Sequence, residues 1–171
     1  MKIEQTLVLI KPDAIERSLV GRVITHFEQR GLKLVGLKML IASKELSKNL
    51  YGDFVERYTI KLGAKKANSI MDEMVSFLTS GPIIAIVVEG ISAVALVRKI
   101  VGSTYPSEAA VGTIRGDFAH VSQDYANTKG ITVKNLVHAS GSPEEAGVEV
   151  KLWFAESELI QYDSVHDRHV L

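Results

Sequence analysis

The chain has 171 residues, enough to bury a core without disulfides or a structural metal, and it reads as a single domain over residues 1–171. It contains no cysteine, which excludes disulfide frameworks, thiolate metal sites and a cysteine nucleophile and suits a reducing cytoplasm. Lys plus Arg and Asp plus Glu both number 20, so no overall positive field draws the chain to nucleic acid or to a membrane surface. Any anion site has to be local. The opening "MKIEQTLVLIKPD" has an apolar run too short to span a bilayer, with no small-residue cleavage site after it, and is read as a strand.

In chain order, "QTLVLIKP" is a continuous apolar run suited to a strand buried on both faces and stopped by Pro12, which leaves Lys11 at the strand's mouth. Beyond Ser18, the residues Leu19, Val20, Val23, Ile24 and Phe27 recur at helical spacing, and Gly31 supplies the left-handed stop. "LKLVGLKMLIA" follows as a second strand with Val35, Leu37, Met39 and Ile41 on one face. Ser43 caps a short helix toward Tyr51, and Ala67, Ile70, Met71, Met74 and Leu78 mark an amphipathic helix over 64–79 that "SGP" ends. "IIAIVVE" is a third buried strand, a helix runs from about Ser92 to Val101 with Gly102 as its stop, and "ITVKNLV" is the last core strand.

This order predicts an α+β, ferredoxin-like sandwich: a four-stranded antiparallel sheet built from two split βαβ halves, with helices packed on one face. The stretch without clear periodicity is 102–130, and a long ordered loop is where function tends to sit.

The phosphate-binding fingerprints G-x-x-x-x-G-K-[ST] and G-x-G-x-x-G are absent, so a Walker-type NTPase is excluded. What remains is a set of basic and hydroxyl groups at element ends: Lys11, Arg98, Thr104 and Arg115. Singly, each is an ordinary solvated side chain. Together they have the composition that phosphoryl transfer needs, several cations converging on one trianionic group. His138 closes the last strand, and "SPEEAGVE" behind it opens a helix with Ser142 as N-cap, Pro143 at the first position and Glu145 closing a capping box. Free N–H groups and the helix dipole there favour an anion. Ser140 adds a hydroxyl, and Glu149 stands where it can accept one ring N–H and leave the other nitrogen nucleophilic. A strand-end histidine bonded to backbone is the competing reading.

The segments "TLVLIKPDA", "LVGRVITHFEQRGLKLVGLK", "SGPIIAIVVEG", "VRKIVGSTYP", "GTIRGDF", "NLVHASGS" and "EVKLWF" stand in an order that resembles the nucleoside diphosphate kinases over nearly the whole chain. The resemblance implies that His138 takes the γ-phosphoryl group of a nucleoside triphosphate and passes it to a nucleoside diphosphate, by ping-pong kinetics through a phosphohistidine. It implies that Lys11, Arg98, Thr104 and Arg115 bind phosphates, that Asn135 reaches the ribose end, that Tyr51 and Glu149 orient His138, and that Ser140 supports the moving phosphate oxygens. Magnesium (Mg2+) would arrive on the nucleotide phosphates, and the chain would form a homo-oligomer, a hexamer or a tetramer built from dimers. A catalytically weak nucleotide-sensing or partner-binding module of the same fold is the alternative.

The chain departs from that family in three places. "GDFVERYTIKLGAKKANSI" replaces the Arg-Pro-Phe-Phe segment after Tyr51, so neither Phe54 nor Tyr58 is assigned to stack on the base. "AHVSQDYANTKGITVK" is longer than the usual link, in a region that helps build the oligomer. Gly141 stands where Asp is common, which predicts a looser setting for His138. His26 is read on a helix flank, His120 as a loop residue at the surface or near the pocket, and His166 and His169 as a solvated tail rather than a metal grip.

Overall fold

A computed structural model describes residues 3–52 and 54–170, the side chains of His169 and Val170 aside. The chain runs β1 (Ile3–Ile10), α1 (Pro12–Glu16), α2 (Val20–Glu28), β2 (Lys33–Ile41), α3 (Lys44–Leu50), α4 (Phe54–Leu62), α5 (Ala64–Leu78), β3 (Pro82–Ile91) and α6 (Ala93–Val101). It continues through α7 (Ile114–Phe118), α8 (Gln123–Lys129), β4 (Val137–Ala139), α9 (Pro143–Trp153) and α10 (Val165–Val170), with single 3-10 turns at Pro106–Glu108 and Glu156–Glu158.

The strands lie in the order β2-β3-β1-β4, every neighbouring pair antiparallel. This is the α+β, ferredoxin-like arrangement that the element order predicts. β1 and β3 are central, and their near-continuous apolar runs are buried on both faces. Val8, Ile10, Ile84, Ile86 and Val88 face a core completed by Val23 and Phe27 of α2 and by Val97 of α6. Leu7, Leu9, Ile83, Ala85 and Val87 face a second core, closed by Leu50, Leu78, Val150 and Trp153 from α3, α5 and α9. Helices therefore cover both faces of the sheet rather than the one expected. Runs apolar at every position, not at every second one, demand two cores.

Several local expectations hold because their chemistry is local. Ser43 accepts a hydrogen bond from the Leu46 N–H as N-cap of α3, and Gly31 ends the α2 turn at φ +73°. Others change. Val35 sits at a register shift between Leu34 and Gly36 and is buried in the second core, whereas Leu37, Met39 and Ile41 lie exposed on the outer strand β2. The bulge reverses the alternation that would have put all four on one face. Of the α5 stripe, Ala67 and Leu78 are buried and Ile70, Met71 and Met74 are half-buried. The unexpected α4 contains no buried residue, so no apolar stripe marks it in the sequence.

"ITVKNLV" is mostly not a strand: only Val137–Ala139 pairs, with β1, and it sets His138 opposite Leu9 in mid-strand. The preceding residues are diverted by a turn at Leu136 described below. Within 102–130 the chain forms a 3-10 turn, α7 and α8, so the added length before Asn135 is taken up as a helix. The tail after α9 is docked and not free: Ile160 N–H donates to the Val35 carbonyl (2.7 Å), and Lys33 pairs with Glu89 (2.9 Å) and Asp167 (3.4 Å). His166 rests against Gly31, where an added Cβ would come within 2.8 Å of its ring. The side chain of His169, read together with His166 as a solvated tail, lies outside the described residues.

Candidate active site

At the exit of β1 the backbone is locked to the segment before β4. Lys11 N–H donates to the Leu136 carbonyl (2.8 Å), and Leu136 N–H donates to Oδ2 of Asp13 (3.1 Å). Pro12 occupies the first position of α1, so that short helix starts at once and turns Asp13 inward to 4 % exposure. Leu136 has φ +70°, and Val137 N–H donates to the Asn135 carbonyl (2.8 Å) across it. That three-residue turn is strained for a branched side chain, by about 1–3 kcal/mol, and persists only where its surroundings hold it.

Arg115 is the main holder. Thr113 caps α7, with its hydroxyl accepting the Gly116 N–H, and directs the guanidinium inward to 6 % exposure. Nε donates to Asn135 O (3.1 Å), Nη1 to Gly102 O (3.1 Å) and Ser103 O (3.0 Å), and Nη2 to Val137 O (2.7 Å). Four of its five N–H groups are thus spent on the loops that frame His138, which leaves one. Burial, with the charge of Arg98 and against that of Asp13, lowers its pKa to about 10, so it stays cationic at neutral pH. Lys11 Nζ donates to Asn135 Oδ1 (2.8 Å), and Asn135 Nδ2 donates to the Thr104 carbonyl (2.9 Å). Desolvation brings the Lys11 ammonium down to about 8, aided by Arg115 and opposed by Asp13.

His138 projects from β4 toward α9. Its Nε2 is 3.0 Å from Oε2 of Glu149, which is itself 7 % exposed. A carboxylate only accepts, so Nε2 is the donor in this contact, and in the neutral imidazole that leaves the lone pair on Nδ1. The fully buried Ser140 donates its hydroxyl to the same Oε2 (2.7 Å) and accepts the Leu7 N–H (3.2 Å), which ties Glu149 to the sheet. Tyr51, at the end of α3, meets the imidazole edge-on with ring centres 6.5 Å apart. Burial first, then the Glu149 carboxylate, pushes its phenol well above the ordinary range and keeps it protonated.

The structure therefore gathers Lys11, Arg115 and Asn135, with the Thr104 backbone, on one side of the Leu136 turn, and Tyr51, Ser140 and Glu149 around His138 on the other. The Ser140 hydroxyl is committed to Glu149 and to Leu7 of the sheet. The Thr104 side chain is exposed. Arg98 is exposed, near enough for its charge to bear on Arg115, and lines a cavity of about 1020 Å³ with His26, Gln29 and Ser103 that neither Lys11 nor His138 lines. Glu145 does not close the box on the Ser142 N–H but accepts from Gly141 N–H one residue earlier (2.9 Å), while Ser142 caps α9 as expected. Gly141 is thereby bonded to the first turn of α9, and a Cβ there would meet that carboxylate at 2.6 Å. Sequence reasoning missed Asp13 and Leu136. The signal for Asp13 was an acid directly after Pro12, at the start of a helix; a strained leucine leaves no trace in composition.

The sequence model described as nucleoside diphosphate kinase matches residues 4–159. A nucleoside diphosphate kinase of Staphylococcus epidermidis is 43% identical over 160 residues, covering 93% of each chain. Among solved structures, a transition-state mimic of the nucleoside-diphosphate kinase from Borrelia burgdorferi with bound vanadate and ADP superposes with a TM-score of 0.89 at 34% identity, over 98% of this chain and 96% of that one. A halophilic nucleoside diphosphate kinase of Halobacterium salinarum in complex with CDP gives 0.80 at 34% identity, over 99% of both.

Ser140→Ala removes both the donor to Glu149 and the acceptor for the buried Leu7 N–H. It should destabilise the fold by about 1–3 kcal/mol in urea denaturation. An unchanged midpoint would show that the hydroxyl is not holding Glu149 to the sheet.

Proposed function

The chain belongs to the nucleoside diphosphate kinase family and is a nucleotide phosphotransferase; on that premise we propose that His138 carries the phosphoryl group between a nucleoside triphosphate and a nucleoside diphosphate. The Nδ1 lone pair attacks the γ-phosphorus, the bond from that phosphorus to the β–γ bridging oxygen breaks, and the diphosphate leaves with the electron pair. A second diphosphate then enters the same pocket and reverses the step, which gives ping-pong kinetics. The observation that carries this reading is the 3.0 Å contact from Nε2 to Glu149, because it fixes the tautomer with Nδ1 free. Tyr51 packs the ring in place, and Ser140 holds Glu149.

Lys11 and the remaining Arg115 N–H bind the phosphates, and Arg98 and Thr104 complete the set by swinging in from their exposed positions. Asn135 exchanges its bond to Lys11 for one to the ribose end. The N-terminus of α9, capped by Ser142, adds its dipole beside the phosphorylated ring. Magnesium comes and goes with the nucleotide as part of the substrate, bridging its phosphates. The substrate pool this reading requires is cytoplasmic.

We further assign the exposed row Leu37, Met39 and Ile41 to contact with a second copy. Large apolar side chains on an unpaired outer strand invite edge pairing, and a symmetric dimer buries both rows at once. Hexamers or tetramers would be assembled from such dimers.

Incubation with γ-labelled ATP should give an acid-labile, alkali-stable phosphoprotein that His138→Ala lacks; nucleotide binding without label transfer would overturn the assignment. ADP affinity, followed by calorimetry from pH 6.5 to 9, should weaken as pH rises through about 8, where Lys11 loses its charge; Lys11→Arg should flatten that inflection, and a flat wild-type profile would contradict the role of Lys11. Sedimentation velocity should find an oligomer that Met39→Glu dissociates, whereas a wild-type monomer would refute the β2 contact.

A further inference from the structure

Asp13 is buried in the first turn of α1 and has no hydrogen bond to His138, yet two features of the site converge on it. Its Oδ2 accepts the Leu136 N–H (3.1 Å), and Leu136 at φ +70° is the turn whose carbonyl receives the Lys11 N–H (2.8 Å). Its other oxygen, Oδ1, is buried and has no hydrogen-bond partner among the described residues. A buried carboxylate oxygen without a partner is costly unless nearby positive charge compensates it. The charged groups that bear on Lys11 are Arg115 from α7 and Asp13 from α1, while Asn135 is neutral and Phe77 of α5 offers only a ring face 5.8 Å away. Asp13 also opposes the loss of charge at Arg115.

We propose that Asp13 is a positioning residue with two separable duties, its Oδ2 pinning the strained Leu136 turn that leads into β4 and His138, and its buried carboxylate, with Oδ1 unpartnered and two residues from Lys11, giving the Lys11–Arg115 pair its anionic neighbour. The inference rests on the phosphohistidine reading for its link to rate, but the charge duty can be read without any turnover. Substitution by Asn keeps an oxygen for Leu136 N–H and removes the charge; substitution by Ala removes both. The two duties therefore come apart in the two variants.

The test follows the Lys11 titration by NMR of 13Cε-labelled lysine, and single-turnover uptake of label at His138 from γ-labelled ATP between pH 6.5 and 9, in wild type, Asp13→Asn and Asp13→Ala. In Asp13→Asn the Lys11 midpoint should fall by about one unit, with uptake within a few-fold of wild type at pH 6.5 and its alkaline decline moved down by the same amount. In Asp13→Ala the midpoint should fall likewise and uptake at pH 6.5 should drop by a further factor of roughly ten or more, as the freed Leu136 N–H lets the turn relax. An unmoved Lys11 midpoint in Asp13→Asn, or equal uptake by the two variants at pH 6.5, overturns the proposal. A merely structural acid would lower both melting temperatures and leave the Lys11 titration where it was. Should Asp13→Ala fail to fold, the Asp13→Asn titration decides the charge duty alone. If wild type takes up no label, the functional reading fails and the Lys11 titration still judges this one.

Discussion

Two cations, the buried Arg115 and the half-buried Lys11, stand within reach of each other's charge, with one buried carboxylate, Asp13, beside them. Desolvated charge in excess of its partners is expensive, and a fold keeps it only where something offsets the cost. Here the offset is mostly backbone: four carbonyls take the Arg115 donors, and the amide of Asn135 takes the Lys11 ammonium. What is left over is positive potential in a sheltered place. A polyanionic phosphate entering there meets dipoles already oriented, with little reorganisation required as charge develops.

The same bonds set the geometry of His138. Arg115 grips the carbonyls of Asn135 and Val137, on either side of Leu136, and so holds open a turn that the leucine would not adopt alone. His138 follows directly in the short strand paired with β1. Its ring is fixed from the opposite side by a carboxylate that the sheet itself secures through Ser140. Charge stabilisation and aim are thus two results of one hydrogen-bond network, and a change in either part is felt in the other.

Much of this was legible in the chain. The continuous apolar runs of β1 and β3 gave the buried strands, the Ser-Pro pair gave the start of α9, and "IKPD", "GTIRGDF" and "NLVHASGS" singled out Lys11, Arg115, Asn135 and His138 as candidates. Glu149 was found because eleven residues along strand, cap and helix return to the same ring. Less legible was whatever depended on a distant partner. The role of Ser140 is set by Leu7, 133 residues away in sequence, and the weight of Asp13 by Leu136, 123 away. α4 buries nothing and so has no periodic signature, and the exposure of Leu37, Met39 and Ile41 follows from a bulge at Val35 that no alternation rule anticipates.

By itself the sequence determined the two central strands, the helices with an apolar stripe, several of their caps and stops, and which side chains are candidates for phosphate chemistry. These depend on periodicity, on φ preferences and on functional groups, all carried by neighbouring residues. Only the tertiary structure decided that the sheet is covered on both faces, that Ser140 serves Glu149, that Arg98 faces another cavity, and that a strained leucine aims the histidine. Each of those is a matter of which oxygen a buried donor reaches, and that is fixed only when segments far apart in the chain are brought into contact and cut off from water.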